Sequence, residues 1–99
     1  MILIPKTNIP NQKFSITING YNFGIQLQTA KNLTLFSLKL NEEPICNSVR
    51  CFPNSQVFFN SSIDLGGIFY WRCLHGDYPH YTKFDTQDLL FINYEEMTE

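Results

Sequence analysis

Charge is scarce in this chain, and the charge that is present does not cluster. Of the 99 residues, 16% are charged, and the formal net charge is −2 at pH 7. An average soluble domain carries about 25% charged residues. The cations are scattered along the sequence, as at Lys31, Lys39, Arg50, Arg72 and Lys83. Without a concentrated positive footprint, direct binding of nucleic acid is disfavoured, and the low charge suggests that a partner covers part of the surface.

An even set of cysteines and a long apolar run are also missing. The three cysteines, Cys46, Cys51 and Cys73, leave one unpaired in any disulfide scheme, which favours free thiols in a reducing compartment. The apolar run Ile2–Ile4 is followed at once by Pro5 and preceded by no basic segment. We therefore expect neither a signal peptide nor a membrane span, and we expect the chain to be made in the cytoplasm.

What the sequence does contain is strict alternation of polar and apolar residues. The segment FSITINGYNFGIQLQT, residues 14–29, alternates on both sides of Asn19-Gly20. Asn-Gly suits a two-residue type I′ turn, in which both residues need a positive φ. Folding the segment there gives a hairpin with one apolar and one polar face. The predicted pairs are Ile18 with Tyr21, Ile16 with Phe23, Phe14 with Ile25, Thr17 with Asn22, Ser15 with Gly24, and Lys13 with Gln26.

Similar alternation, broken by turn residues, predicts strands over 13–19, 21–29, 33–40, 45–51, 67–75 and 88–94. Residues 53–64 are predicted to form a polar loop with a short strand inside. No segment of useful length has a helical period. We therefore predict one all-β domain over residues 1–99, a small antiparallel barrel or sandwich of six to seven short strands. Residues 1–12 are expected to form an extended arm, and 95–99 an acidic tail.

Packing predictions follow from the phase of each strand. Leu33 and Leu35 are out of phase with the rest of their strand, so we expect a bulge or burial on both faces there. The strand Ile68–His75 is apolar on both faces except for Arg72 and His75, which suits a central strand or one whose second face lies under a partner. The residues expected to form much of the core are Ile16, Ile18, Phe23, Ile25, Phe36, Leu38, Trp71 and Phe91.

Few residue sets could carry chemistry. Cys73, His75 and His80 lie close in sequence, with Cys73 and His75 expected on one strand face. Zinc sites usually pair such ligands in both halves of the site, and no signature of a cysteine nucleophile surrounds any of the thiols. We therefore predict no catalytic, cofactor-binding or metal-binding residues, and no cofactor. The remaining candidate is an aromatic platform for sugars or bases, which would consist of Tyr70, Trp71, Tyr78, Tyr81 and Phe84.

The order of segments resembles a known family. The chain has Pro10-Asn11-Gln12 followed by Phe14, then the turn Asn19-Gly20. It continues to LGGIFYWRCLHGD, in which Gly76-Asp77 precedes Pro79, Tyr81 and Phe84, and it reaches a final strand LLFIN. Over nearly its whole length the chain is similar to the small all-β baseplate plug proteins of contractile-tailed phages, the cyanophage-type plug family.

The resemblance implies a non-enzymatic virion structural protein in the baseplate hub, assembled in the host cytoplasm. Implied partners are hub, wedge and tail-tube proteins, with self-association in a three-fold or six-fold arrangement and no membrane. Apolar residues in the arm and aromatic residues in the connection after residue 76 are the expected contact residues. These candidates are Ile2, Leu3, Ile4, Tyr78, Tyr81 and Phe84.

Two alternatives to the baseplate role remain open. The first is a β-sandwich module that binds carbohydrate or peptide, as a tail-tip adhesin domain would, and it should expose its aromatic residues on the isolated monomer. The second is a small hydrolase or metal enzyme that uses Cys73 and His75. For the arm, the alternative to a contact with a neighbour is that it folds back on its own sheet.

Overall fold

The fold is a sandwich of two four-stranded antiparallel sheets that do not close into a barrel, as a computed structural model describes it for residues 1–60 and 63–97. Sheet A has the strand order β1-β8-β7-β6, and sheet B has the order β2-β3-β4-β5. The predicted all-β class is confirmed. The strands are β1 (Ile2–Ile4), β2 (Gln12–Ile18), β3 (Tyr21–Ala30), β4 (Leu33–Leu40), β5 (Glu43–Arg50), β6 (Ser55–Gln56), β7 (Gly67–Cys73) and β8 (Gln87–Asn93).

The hairpin of β2 and β3 has the predicted register. Ile18 pairs with Tyr21, Ile16 with Phe23 and Phe14 with Ile25, and the three predicted polar pairs are also present. At the turn, φ is 55° for Asn19 and 81° for Gly20. Both values are positive, as a type I′ turn requires, so the turn chemistry and the alternation of the flanking strands agree on one register.

Sheet B continues through two more tight turns. Lys31-Asn32 joins β3 to β4, and Asn41-Glu42 joins β4 to β5, each with positive φ at both residues. Two register irregularities occur between β4 and β5, because Phe36 pairs with Val49, Leu38 with Cys46, and Lys39 with Pro44. The irregularity expected near Leu33 and Leu35 therefore lies further along, where the extra residues belong to β5. Leu33 and Leu35 are half-buried, and Thr34 between them is buried.

Sheet A incorporates part of the predicted N-terminal arm. Ile2, Leu3 and Ile4 pair with Phe91, Leu90 and Leu89 of β8, so β1 is an edge strand of the chain's own sheet. The arm therefore folds back on the domain along these three residues. β7 ends at Cys73, two residues earlier than predicted, because Leu74 and His75 form a turn that leads to Gly76 at φ 71°.

The core lies between the two sheets and is rich in aromatic rings. Phe23 and Phe36 from sheet B meet Phe69 and Phe91 from sheet A with ring centroids 5.2–5.9 Å apart. All the predicted core residues are in this cluster except Ile16, which is half-buried and packs against it. Each apolar strand face therefore meets the other, as a sandwich requires.

Two short helices complete the described residues. A 3-10 helix, Tyr81–Thr86, precedes β8, and an α-helix, α1 (Tyr94–Met97), follows it. Of the predicted acidic tail, residues 98 and 99 lie outside the described residues. No helix in the described ranges has the length and apolar character needed to cross a membrane.

Candidate interaction surface

The three candidate contact residues of β1 differ in exposure. Leu3 is 57% exposed, Ile4 is buried in the core, and Ile2 is half-buried against it. The difference follows from strand alternation, which directs Ile2 and Ile4 toward the core and Leu3 away from it. Of the three side chains, Leu3 is the exposed one.

The three aromatic candidates after residue 76 also differ in exposure. Tyr78 is 48% exposed, whereas Phe84 is buried and stacks on Trp71 with ring centroids 5.6 Å apart. Tyr81 is half-buried and lies beside His80, at 4.6 Å between ring centroids. Phe84 therefore stabilises the fold, and Tyr78 is the aromatic side chain available at the surface.

The outward side of sheet A is apolar over most of three strands. Leu3 and Tyr70 pair with Leu90 from either side, so these three side chains form one row across the sheet. Ile68 and Ile92 pair in the next row. We call these five residues the outer apolar face. Leu90 at its centre is buried, Leu3 is exposed, and the other three are half-buried.

An ion pair between Arg72 and Asp88 borders the outer apolar face on one side. In the row beyond Leu90 and Tyr70, Arg72 pairs with Asp88, and Arg72 Nη2 lies 2.7 Å from Asp88 Oδ2. Arg72 Nη1 also lies 3.8 Å from Met1 Sδ. An apolar centre bordered by an ion pair is the composition found at protein–protein contacts, where charge is depleted at the centre and tolerated at the rim.

The outward side of sheet B has the opposite character. On β2 and β3 it carries polar residues and one glycine, namely Lys13, Ser15, Thr17, Asn22, Gly24, Gln26 and Gln28. A groove of about 300 Å³ crosses this side above Gly24 and reaches Cys46 on β5. The outward sides of β2 and β3 are therefore more polar than those of β7 and β8, while β4 adds the half-buried Leu33 and Leu35 to the outward side of sheet B.

A second surface feature lies at the end of the sandwich where β5 ends. Phe52 and Tyr78, with ring centroids 5.9 Å apart, both contact the guanidinium of Arg50. The Arg50 Cζ atom is 4.9 Å from the Phe52 ring centroid and 5.5 Å from that of Tyr78. These distances are in the range of a cation–π interaction. We call these three residues the Arg50 cluster.

Two buried polar residues hold the loop that presents Tyr78. Gln87 Nε2 donates to the carbonyl oxygens of Asp77 (3.2 Å) and Tyr78 (3.0 Å), and Gln87 Oε1 accepts from His80 N at 2.9 Å. Thr34 Oγ1 donates to the carbonyl of Pro79 at 2.7 Å. Gln87 and Thr34 are the buried polar residues of the described core. Their hydrogen bonds are with this loop, so its backbone is fixed by both sheets.

Beneath this end of the molecule lies Lys6, a partly buried cation. Its Nζ is 5.7 Å from the Trp71 ring centroid and 5.1 Å from that of Phe84. It donates to the carbonyl of Phe84 at 3.1 Å and to that of Gln87. Burial lowers the pKa of Lys6, and the nearby carboxylate of Asp88 opposes that shift. Lys6 therefore joins the N-terminal segment to the segment before β8.

The Cys and His residues considered for chemistry are separated. Cys73 is buried at the end of β7, whereas His75 is exposed in the turn that follows. The expectation that they share one strand face is therefore wrong. His80 Nδ1 lies 2.8 Å from Thr82 Oγ1 at the start of the 3-10 helix. Among the described residues, no three Cys, His, Asp or Glu side chains gather where they could hold a metal ion.

The three thiols are free and protonated near neutral pH. Burial raises the pKa of Cys46 to about 11 and that of Cys51 to about 12, and it also raises the pKa of Cys73. The thiolate is the nucleophilic form of cysteine. The environment of each thiol therefore opposes nucleophilic chemistry.

The aromatic platform considered for sugars or bases is dispersed. Trp71 and Phe84 are buried in the core, Tyr70 belongs to the outer apolar face, and Tyr81 packs beside His80. Of the five, Tyr78 is the most exposed, and it lies against Phe52 and Arg50. The five rings do not form a shared stacking surface.

Comparison with known families assigns the chain. Residues 1–95 match the family described as cyanophage baseplate Pam3 plug gp18. The chain belongs to this family. The match covers both sheets, so the baseplate plug fold of this chain is the sandwich described above. Comparison with curated proteins gives no match.

Membership in the family confirms the resemblance noted in the sequence. It makes the protein a structural component of a phage tail baseplate, and so of the virion. A baseplate plug associates with other baseplate components. Such an association is made through contact surfaces, and the outer apolar face and the Arg50 cluster are two candidates for them.

Proposed function

We propose that this plug is a non-enzymatic hub component that packs against the hub and tail-tube proteins through its outer apolar face. The observation that carries the proposal is the difference between the two outward surfaces. On the outward side of sheet A, Leu3 is exposed and Ile68, Tyr70 and Ile92 are half-buried. On the outward side of sheet B, β2 and β3 carry polar side chains and Gly24. An apolar sheet face whose residues stay partly exposed around the buried Leu90 is a typical protein-contact surface.

Two further observations support a structural role over the alternatives. All three thiols have a raised pKa, and Cys73 and His75 are separated by the end of β7, which disfavours a cysteine or metal enzyme. A carbohydrate-binding module should expose its aromatic residues, but Trp71 and Phe84 are core residues. The plug is proposed to assemble in the host cytoplasm with hub, wedge and tube proteins, in several copies around the three-fold or six-fold baseplate axis.

A charge placed at the centre of the proposed contact tests the role. Leu3→Lys puts an ammonium group on the outer apolar face, where docking would remove its water, and such burial is unfavourable without a partner. We expect loss of the plug from assembled baseplates. Ser15→Lys is the matched control, because Ser15 is an exposed strand residue on the polar outward side of sheet B. It should enter baseplates normally.

Both variants are exposed strand substitutions, so their melting temperatures should stay close to that of the native chain. The assay is the amount of plug in purified baseplates or tails from a phage that carries each variant. Normal incorporation of Leu3→Lys would refute the outer apolar face as the contact. Equal loss of both variants, with both folded, would show that the contact does not distinguish the two sheets.

A further inference from the structure

Charge is distributed unevenly between the two ends of the sandwich, with Lys13 and Lys39 on the strands of sheet B and Asp85 in the 3-10 helix. Five carboxylates lie at the end where β2 meets β3 and where β4 meets β5. Hydrogen bonds join the segments there, since Asn19 Nδ2 donates to Asn93 Oδ1 (2.8 Å) and Asn41 N donates to the Asn22 carbonyl (2.8 Å). The carboxylates of this acidic end are Glu42, Glu43, Asp64, Glu95 and Glu96.

The opposite end is basic and aromatic. It carries Lys31 in the β3–β4 turn and Arg50 at the end of β5, beside Phe52 and Tyr78. Arg72 and Lys83 are also near this end, but they form ion pairs with Asp88 and Asp77. Within residues 1–60 and 63–97, neither Lys31 nor Arg50 has a carboxylate within salt-bridge distance.

The two ends are too far apart to neutralise each other within one molecule. Glu43 and Arg50 are the first and last residues of β5, and a strand of that length spans about 20–25 Å. The screening length is about 8–10 Å at physiological salt. The Glu42 and Glu43 carboxylates at one end and the Arg50 guanidinium at the other are therefore available to other molecules.

Glu42 has a backbone conformation that is unfavourable for a residue other than glycine. Glu42 has φ 71° in the two-residue turn that follows β4, where glycine is the usual residue. The equivalent turn between β2 and β3 has Gly20 at φ 81°. Within the described residues, Glu42 and Glu43 form no ion pair and are exposed. An exposed carboxylate that has no ion pair among the described residues is available for a contact with another molecule.

We infer that copies of the plug associate head to tail, with the Glu42–Glu43 turn of one copy docked on the Arg50 cluster of the next. A guanidinium donates two N–H groups to a carboxylate in bidentate geometry, and the rings of Phe52 and Tyr78 flank that of Arg50. Gln87 and Thr34 already fix the loop that carries Tyr78, so little order has to be gained on docking.

The two contacting surfaces are different, so the contact is heterologous. Such a contact propagates from copy to copy and closes into a ring when its rotation allows. This inference rests on the proposed function, in which several copies surround the baseplate axis, and it names the residues that join them. The outer apolar face of sheet A lies along the side of each copy and stays free for hub and tube proteins.

Two variants that each disable one end test the contact. Arg50→Glu removes the basic end and keeps the acidic one, and the double substitution Glu42→Gln/Glu43→Gln does the reverse. In sedimentation velocity at low ionic strength, over a concentration series, the native plug should form species larger than a monomer. Salt of about 1 M should dissociate them. Each variant alone should associate about tenfold to a hundredfold more weakly.

The decisive sample is an equimolar mixture of the two variants. It contains one intact acidic end and one intact basic end, so it should give a 1:1 heterodimer and nothing larger. Lys13→Gln serves as the control, because Lys13 is exposed near the start of β2 and belongs to neither proposed docking segment, and it should associate as the native plug does. Melting temperatures of all variants should match that of the native chain, since every altered residue is exposed.

Three results would overturn the head-to-tail contact. One is a native plug that stays monomeric at every concentration yet enters baseplates, which leaves the proposed function intact. Another is native-like self-association of both variants. The third is a monomeric native plug whose Arg50→Glu variant is lost from baseplates, because Arg50 would then bind a carboxylate of a different baseplate protein. Failure of the native plug to enter baseplates would instead refute the proposed function.

Discussion

The ring of Phe23 on sheet B meets the ring of Phe69 on sheet A edge to face, with centroids 5.5 Å apart and planes at 86°. Phe23 also contacts Phe91, at 5.9 Å between centroids. All three rings are fully buried. Edge-to-face pairs add about 0.5–1.5 kcal/mol beyond the area they bury. Phe23 therefore links its own sheet to both central strands of the other.

Phe23→Ala should destabilise the plug strongly. Truncating a buried phenylalanine costs about 3–5 kcal/mol, and a domain of this kind has a total stability of about 5–15 kcal/mol. Urea unfolding measures the change. Phe58→Ala is the control, because Phe58 is 68% exposed, and its effect should stay within about 0.5 kcal/mol. Similar losses for the two variants would contradict the assignment of Phe23 to the centre of the core.

The N-terminal residues should be needed for stability, because β1 completes sheet A. Ile4→Ala removes a buried side chain and should cost about 2–5 kcal/mol, whereas Leu3→Ala alters an exposed one and should cost little. Deletion of residues 1–8 removes β1 and Lys6, and we expect a large fall in melting temperature. Calorimetry checks both results. A deleted chain that melts like the native one would show that the arm is dispensable to the fold.

Gln87→Leu should loosen the loop that carries Tyr78. The substitution leaves the partly buried His80 N–H without its acceptor and two carbonyls without their donor, and the cost for a fully buried unsatisfied group, about 1–3 kcal/mol, is the upper limit for each. Amide hydrogen exchange at His80 should accelerate, in step with the loss of stability. Gln28→Leu, on the outward side of sheet B, is the control and should leave that exchange unchanged. Unaltered protection at His80 in Gln87→Leu would count against this network.

Stability should fall as the pH rises above about 9, because the buried thiols resist ionisation. The pKa of Cys51 is about 12 in the folded chain against an ordinary 9.0, and that of Cys46 is about 11. The unfolded chain therefore loses thiol protons first, and this contribution is complete below pH 9 and lost toward pH 11–12. The lowered pKa of Lys6 acts in the opposite direction.

Comparison of the native chain with Cys51→Ala isolates the contribution of the Cys51 thiol to the pH dependence of stability, because Lys6 is present in both. Free energies of unfolding are measured from neutral pH to about pH 10.5, and the decline should be shallower in the variant. The absolute stabilities will differ because alanine leaves a small cavity, so the slopes are compared. Parallel pH profiles would show that Cys51 ionises alike in the folded and unfolded states.

Local patterns in the sequence predicted the parts of the fold that local physics determines. The β2–β3 register followed from Asn19-Gly20 and the alternation around it, since a slip of one residue would expose every apolar side chain. The irregularities in β5 could not be predicted in the same way. They depend on where Val49 and Cys46 meet β4, which only the paired strands determine.

The candidate contact residues were less predictable because their exposure depends on distant partners. Phe84 stands in a turn-rich segment, yet it is buried because Trp71 and Lys6 pack against it. Ile2–Ile4 looks like a free arm in sequence, and its partner strand lies more than 80 residues further along. The two charged ends could not be predicted from the sequence for the same reason, since Arg50 and Tyr78 meet only after the sheets pack.

The pairing of β1 with β8 also sets the order in which the sheets are completed during synthesis. Strands β2 to β5 of sheet B are consecutive in the chain, so each finds its partner as soon as the next turn is made. β1 is translated before all of them, but β8 is translated after them. On the ribosome, Ile4 therefore stays without its strand partner until β8 emerges, and sheet B is the part of the plug that a nascent chain is able to form first.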